Sequence, residues 1–448
     1  MSAKPAKTSR RDAIKLSAAA LAGAAMLPGS RIASAQATQP ASSQASSWPQ
    51  RRKDIARRWL DLLGQPPTEI LPLEPVIKEA ARDGNITRYH VSFQVEPDDR
   101  MTAWLLVPDS AKLKPAPAII CIHSTTWGAG KDSTAGLAGR RKGEPPEDEP
   151  YLGRGNGLLL AQHGYVTLCL DMLTDGERVK PGQRVMDTRD FYQRHPEWSM
   201  IGKNNWDISR SIDFLQTLDF VDGKQIGCTG WSLGGHQCVF AAAFDERITA
   251  TVANGGVLDW HRPAEAWSRK PESWTPWKEG DPPTNNPELE RRFRFKTNSG
   301  PYIYIKKFRP YLDDPKMPVP VDFDELMMMV APRPLLVISS EWEFYSHKLP
   351  PKCLNVAKVY ADWRDVDGLP SVMEGRQQRL GYDRTLEYYE FNNKLKPERV
   401  ARDLTQIGAG DCFGWFSFPG GHSYPPAARL VSFGWFDRWL GHVPPSAA

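Results

Sequence analysis

Residues 225–235 read QIGCTGWSLGG, and residues 236–244 continue as HQCVFAAAF. A short apolar run therefore ends in Gly230, Trp231, Ser232, Leu233, Gly234 and Gly235 before an alanine-rich helical stretch. The local reading is a strand, a sharp turn and a helix, with Ser232 on the turn. A serine there sits in a strained backbone conformation that lifts its oxygen clear of the chain. A Cβ at position 230 or 234 would collide with the strand or the helix. Small residues around a serine also make ordinary turns, so context carries the functional reading. Here a strand precedes, a helix follows, a histidine lies far downstream and acidic residues fall between.

Working outward, residues 51–63 form an amphipathic helix with a basic face, stopped by Gly64, Pro66 and Pro67. Runs at 87–95 and 102–107, separated by a turn at 96–100, suit an antiparallel hairpin. Residues 118–122 and 166–170 are apolar on both faces and end at His123 and Asp171, as parallel strands covered by helices do. Between them 157–164 (GLLLAQHG) ends a crossover helix, and 207–218 is a second helix. With 248–252 as the next strand, strand and helix alternate four times, which predicts a mostly parallel, doubly wound α/β sheet. Residues 257–320 break this rhythm with Trp260, Trp267, Trp274 and Trp277 among prolines and charges. They read as a lid inserted over the carboxyl end of the sheet, because long irregular connections in compact domains are usually functional. Rhythm resumes with a helix at 323–330 and a strand at 335–339. After a second insertion at 345–411 come a strand at 413–418 and a closing helix at 427–440.

The first 35 residues read as an export leader. Arg10 and Arg11 resemble a twin-arginine signature, with Ala13 where a large apolar residue is usual. Residues 16–27 are apolar, and Ala33, Ser34 and Ala35 make a small-residue cleavage site. This stretch is shorter than the about 20 residues a membrane span needs, and no other segment approaches that length. Expected, then, are a leader at 1–35, a polar linker at 36–50 and one α/β domain at 51–445, from a bacterial protein delivered by the twin-arginine machinery to the periplasm or beyond. Taking six of the 57 basic and one of the 53 acidic residues away with the leader leaves 51 and 52, a formal charge of −1 instead of +4. A basic face for nucleic acid is not expected from such a balance. Among the six cysteines, Cys121, Cys169 and Cys228 lie inside apolar runs and read as buried thiols. No CxxC or HxxxH spacing suggests a metal, and no cofactor is expected.

A nucleophilic serine needs a base, and the base needs a partner that fixes its tautomer. His422 is the candidate base, because it follows the last strand in GGHSYPP, where paired glycines let the chain turn back. For the acid, Glu343 leads, as the third residue of the turn after the strand LLVISS. Glu341 follows, and Asp259, just after the preceding strand, is third. Two N–H donors must face the developing oxyanion. Leu233 supplies one, and Thr125 the other, with Ser124 as the fallback. His123 reads as a structural histidine shaping that loop, and His236 as a packing residue.

The segments AIICIHSTTWGAGKD, HGYVTLCLDMLTDGER, GCTGWSLGGH, ELMMMVAPRPLLVISS and PGGHSYPP together resemble the α/β-hydrolase superfamily, and within it the dienelactone hydrolase and acetyl xylan esterase-like branch. The resemblance implies a Ser, acid, His mechanism through an acyl-enzyme, without a metal or an organic cofactor. Ser124 stands where a glycine is usual, and Glu343 where an aspartate is. The expected activity is hydrolysis of a small acyl ester, with an acetylated carbohydrate as one candidate substrate. Rival readings are a prolyl oligopeptidase-like peptidase, whose usual propeller domain has no room ahead of the first strand, and an inactive glycan- or partner-binding relative.

Overall fold

The computed structural model describes residues 48–126, 128–137, 155–180, 185, 187–256, 303–314, 316–340, 412–418 and 424–444. The leader at 1–35, most of the linker, 257–302 of the first insertion and the whole of 345–411 lie outside them. So do Asp259, Glu341, Glu343, Cys353 and His422.

Among the described residues, nine strands form one sheet in the order β1-β2-β3-β5-β4-β6-β7-β8-β9. In chain order these are β1 (Val76–Asp83), β2 (Ile86–Glu96), β3 (Asp99–Pro108), β4 (Ala116–Ile122), β5 (Val166–Leu170), β6 (Val221–Trp231), β7 (Ile248–Asn254), β8 (Leu335–Ser340) and β9 (Phe413–Phe418). The first three pair antiparallel and β3 joins β5 antiparallel, while every pair from β5 across to β9 is parallel. The hairpin read from the sequence is thus present, with β2 and β3 each longer than expected. Strand β1 was not foreseen. It lies at the sheet edge, almost wholly exposed, with charged residues that discourage edge-to-edge pairing and leave no apolar alternation to read.

Side-chain alternation along the parallel strands divides the core in two. Ala118, Ile120 and Ile122 of β4 join one cluster, and Ile119 and Cys121 the other. Among the described residues, the first face is covered by α1 (Trp48–Leu63), α3 (Met200–Leu215), α4 (Leu233–Phe244) and α5 (Phe323–Val330). Helices α2 (Asn156–Gln162) and α6 (Pro426–Trp439) cover the second. Helix α4 is buried on nearly every side, between the sheet and α3 and α5, which explains its almost uninterrupted apolar sequence. Its carboxyl end is capped by Arg333, which donates to the carbonyls of Ala242 (2.6 Å), Asp245 (3.0 Å) and Ile248 (2.9 Å).

Helix α1 begins at Trp48, three residues before the expected start, and seats Trp59 edge-on against Phe240 of α4 at 5.1 Å. Its basic face is paired: Arg58 meets Glu325 in a two-pronged contact, with both N–O distances 2.8 Å, and Arg57 meets Asp54 and Asp61. Residues 303–320, the described end of the first insertion, pack Ile303, Ile305 and Phe308 into the core on the α1 side. Cys121, Cys169, Cys228 and Cys238 are buried free thiols, and Cys412 is also buried.

Helix α3 starts at Met200, a full turn and more before the expected 207, because its first turns bury polar groups that only tertiary partners can satisfy. Lys203 and Asp207 pair on α3. Lys203 also reaches Asp99 (2.9 Å) and Glu96 (3.2 Å) at the β2–β3 turn, and Arg178 bridges Asp207 (2.8 Å) and Asp99. Burial by itself would raise the Asp99 carboxyl, but the Arg178 and Lys203 charges outweigh it and hold the group well below the usual carboxylate range. A carboxylate depressed in this way stabilises the fold fully above its unfolded pKa of about 3.9, and the contribution is lost as pH falls through the lower folded value. Asp99→Asn should therefore cost about 3 kcal/mol at pH 7, and its unfolding free energy should fall less steeply than wild type between about pH 5 and pH 2. Denaturant titrations across that window check this, and parallel slopes for the two proteins would refute it.

Candidate active site

The chain leaves β4 over the α2 face to reach β5, then returns over the α3 face to β6 on the other side of β4. The carboxyl ends of β4 and β6 therefore diverge to opposite faces of the sheet. Such a switch point opens a crevice where ligands bind in α/β sheets. Ser232 stands at its rim.

Its backbone adopts φ 59° and ψ −117°, a left-handed conformation rare for a residue with a Cβ. The Ser232 N–H donates to Asn254 O at the end of β7 (2.9 Å), and Ser232 O accepts the first helical hydrogen bond from His236 N–H (3.0 Å). The glycines do what the sequence implied. A Cβ on Gly230 would come within 2.4 Å of the Gly234 carbonyl, and one on Gly234 within 2.3 Å of Ile122 O. That second contact sets the start of α4 directly against the end of β4. Ser232 is partly exposed and Leu233 buried. As the first residue of α4, Leu233 carries an N–H that the helix itself cannot satisfy, at the positive end of the helix dipole.

Thr125 lies on the loop directly after β4, half-buried, while Ser124 before it is buried. His123 shapes this loop, as read from the sequence. Met172 N–H donates to its Nε2 (3.0 Å), which leaves Nδ1 to donate to Ser124 O (2.6 Å) and fixes the neutral tautomer. His236 packs near Phe323 and bonds Gly256 O through Nδ1 (2.5 Å), so it serves the turn after β7.

Sequence reasoning passed over the acids of LDMLTDGER, residues 170–178. Asp171, fully buried, accepts from Thr102 Oγ1 (2.7 Å), Lys131 N (2.7 Å), Lys131 Nζ (2.9 Å) and Glu177 N (3.2 Å). Burial opposes the charge on Lys131, but Asp171 and Glu177 outweigh it and raise its pKa. Glu177 is lowered: its burial acts the other way and is overcome by the hydrogen bonds from Lys131 and His90. Asp175 accepts from Thr126 Oγ1 (2.8 Å) and from the N–H groups of Gly128 (2.7 Å) and Gly176 (2.9 Å). Two acids four residues apart, just past an apolar run, were the available signal.

Glu343 and Glu341 follow β8, Asp259 follows β7 and His422 follows β9. All four lie outside the described residues, as noted above. The strands that lead to them run parallel to β6, so each ends at the edge where Ser232 stands. Two residues past His422, Tyr424 is buried. Its hydroxyl donates to Ser432 Oγ (2.6 Å), which donates in turn to Ala428 O (2.7 Å) on α6, and burial pushes the phenol up to about 12. Among the described residues no group of three or more His, Cys, Asp or Glu could hold a metal ion, and no helix is long and apolar enough to cross a membrane. A partly exposed hydroxyl at a switch point, backed by a helix N-terminus, is suited to attack on a carbonyl carbon.

Comparison with known proteins agrees with this architecture. The sequence model of the Abhydrolase family matches residues 3–264, more than half of the chain, and that of fungal glucuronyl esterase matches residues 178–363. Among solved structures, a glucuronoyl esterase from Solibacter usitatus is 18% identical, with 88% of this chain and 93% of that one covered at a TM-score of 0.56. A promiscuous carbohydrate esterase family 15 enzyme from a marine bacterial metagenome is 16% identical, covering 87% and 91% at a TM-score of 0.53. A family 15 glucuronoyl esterase from Teredinibacter turnerae is also 16% identical, covering 87% and 84% at 0.51. No curated protein sequence matches the chain. The α/β-hydrolase resemblance read from the sequence holds, and a match of this extent on this sheet means that the chain belongs to the Abhydrolase family.

Proposed function

We propose that the chain is a serine carboxylic-ester hydrolase acting through an acyl-enzyme on carbohydrate esters. The observation that carries this reading is the left-handed Ser232 on the turn between β6 and α4, at the switch point of the sheet. Ser232 Oγ attacks the ester carbonyl while His422 takes its proton, and Glu343 orients and stabilises the imidazolium, with Glu341 and Asp259 as the alternative acids. The N–H groups of Leu233 and Thr125 receive the oxyanion. His422 then protonates the leaving alcohol, and water repeats the sequence to release the acid. Glucuronoyl esterases share the fold, which supports a sugar ester over a simple lipid or aryl ester. The leader at 1–35 would deliver the enzyme by the twin-arginine route to the periplasm or beyond, where such esters are met.

A fluorophosphonate probe should label wild type at one site, and Ser232→Ala should remove both labelling and turnover of p-nitrophenyl acetate. Equal turnover by the two proteins would end the proposal. Gly234→Ala, which must push α4 off the end of β4, should lower kcat by at least about tenfold, given that a shift of about 1 Å at a reacting group costs roughly a hundredfold; an unchanged kcat would show that the contact does not hold the turn. On a panel of acetylated sugars, alkyl glucuronates and peptide amides, the sugar esters should have the highest kcat/KM, and preference for the amides would favour a peptidase. Replacing Arg10 and Arg11 together by Lys should retain the precursor in the cytoplasm of a bacterial host, and normal delivery would remove the export assignment.

A further inference from the structure

Resting on the reading of Ser232 and Thr125 just given, we propose that Asp175 is the positioning residue for the Thr125 oxyanion donor, acting through Thr126. Thr125 is flanked by two anchors on one loop. Upstream, His123 is tied to Ser124 O and to Met172 N–H. Downstream, Thr126 Oγ1 donates to Asp175 Oδ2 (2.8 Å) and accepts from Gly130 N–H (2.8 Å), while Asp175 Oδ1 takes Gly128 N–H (2.7 Å). Both anchors are held from the loop after β5. One carboxylate from the loop after β5 thus receives two donors from the loop after β4, and the Thr126 hydroxyl relays the constraint to Gly130.

Thr126 and Asp175 are both buried, so water does not compete for these bonds. The backbone around Asp175 is bent to deliver the carboxylate. Thr174 has φ 60° and Gly176 φ 57°, so the acid sits between two left-handed residues. A β-branched residue rarely adopts that conformation, and it persists only where the surroundings over-determine it. Thr174 Oγ1, also buried, has no hydrogen-bond partner among the described residues, so the bend is not held by its own side chain. The Asp175 contacts are what the bend secures. An oxyanion donor must lie about 2.7–3.1 Å from the developing charge, and a brace of this kind keeps it there without touching the substrate.

Thr126→Val keeps the shape of the side chain and removes its hydroxyl, whereas Thr126→Ser keeps the hydroxyl. Thr126→Val and Asp175→Asn should lower kcat for a short acyl ester about 10- to 100-fold with KM within about threefold, since loosening a donor approaches the loss of one. The pH dependence should be unchanged, because the base is untouched, and Thr126→Ser should restore kcat to within about threefold of wild type. Hydrogen exchange across residues 123–130 should quicken in Thr126→Val and remain slow in Thr126→Ser. Wild-type kcat in Thr126→Val, equal loss in the serine variant, or unchanged exchange in the loop would each overturn the brace. Absence of wild-type turnover, or its persistence in Ser232→Ala, would instead remove the proposed site and the positioning role of Asp175 with it.

Discussion

The backbone of α4 begins in van der Waals contact with the carbonyls that end β4, and the carboxyl edge of the sheet is organised around that approach. It requires glycine at 234, because any Cβ there would displace the helix from Ile122 O. It also requires Ser232 to take a left-handed turn, because the chain must reverse from strand to helix within one residue. The two constraints reinforce each other. The result is a hydroxyl and a helix N-terminus set beside the loop that begins at His123.

That loop has no regular structure over the residues nearest the serine, so its order must come from side chains. It is supplied from β5 and beyond, through His123 and Met172 on one flank, and through Asp175 and Asp171 on the other. The charged groups behind it are internally compensated: Asp171 is matched by Lys131, and Asp99 and Asp207 by Arg178 and Lys203. Buried ions of this kind are weak evidence for stability, since well-packed apolar replacements can serve as well. Their geometric consequence is firmer, because they tie the β2–β3 turn, α3 and the loop after β5 into one unit.

Strands buried on both faces were legible in the sequence. Residues 166–170 and 413–418, and the helix at 323–330, have the bounds expected, because apolar content and breakers coincide there. Strand β1 was invisible because its partner bonds are all backbone and its side chains face water. The start of α3 was invisible for the opposite reason: Lys203 and Asn204 look like surface residues until their partners are in view. At the site, Ser232 and its glycines were readable because the turn is local. The role of Asp175 was not, since it depends on two loops 49 positions apart in the chain meeting in space. Glu343, Glu341 and His422 stand on the sequence argument and on the direction of the strands that lead to them.

The Arg333 cap carries a consequence for biosynthesis. Helix α4 and its serine turn are complete in the nascent chain by residue 244, yet the residue that closes the helix's carboxyl end comes after the first insertion. Until Arg333 emerges, the carbonyl of Ala242 lacks this donor and that of Asp245 has only the backbone N–H of Ile248 (3.3 Å), and β7 lacks the strand that covers its outer edge. The serine turn is therefore made early and secured late, and until β8 follows, the outer edge of β7 is open to a chaperone or a neighbouring chain.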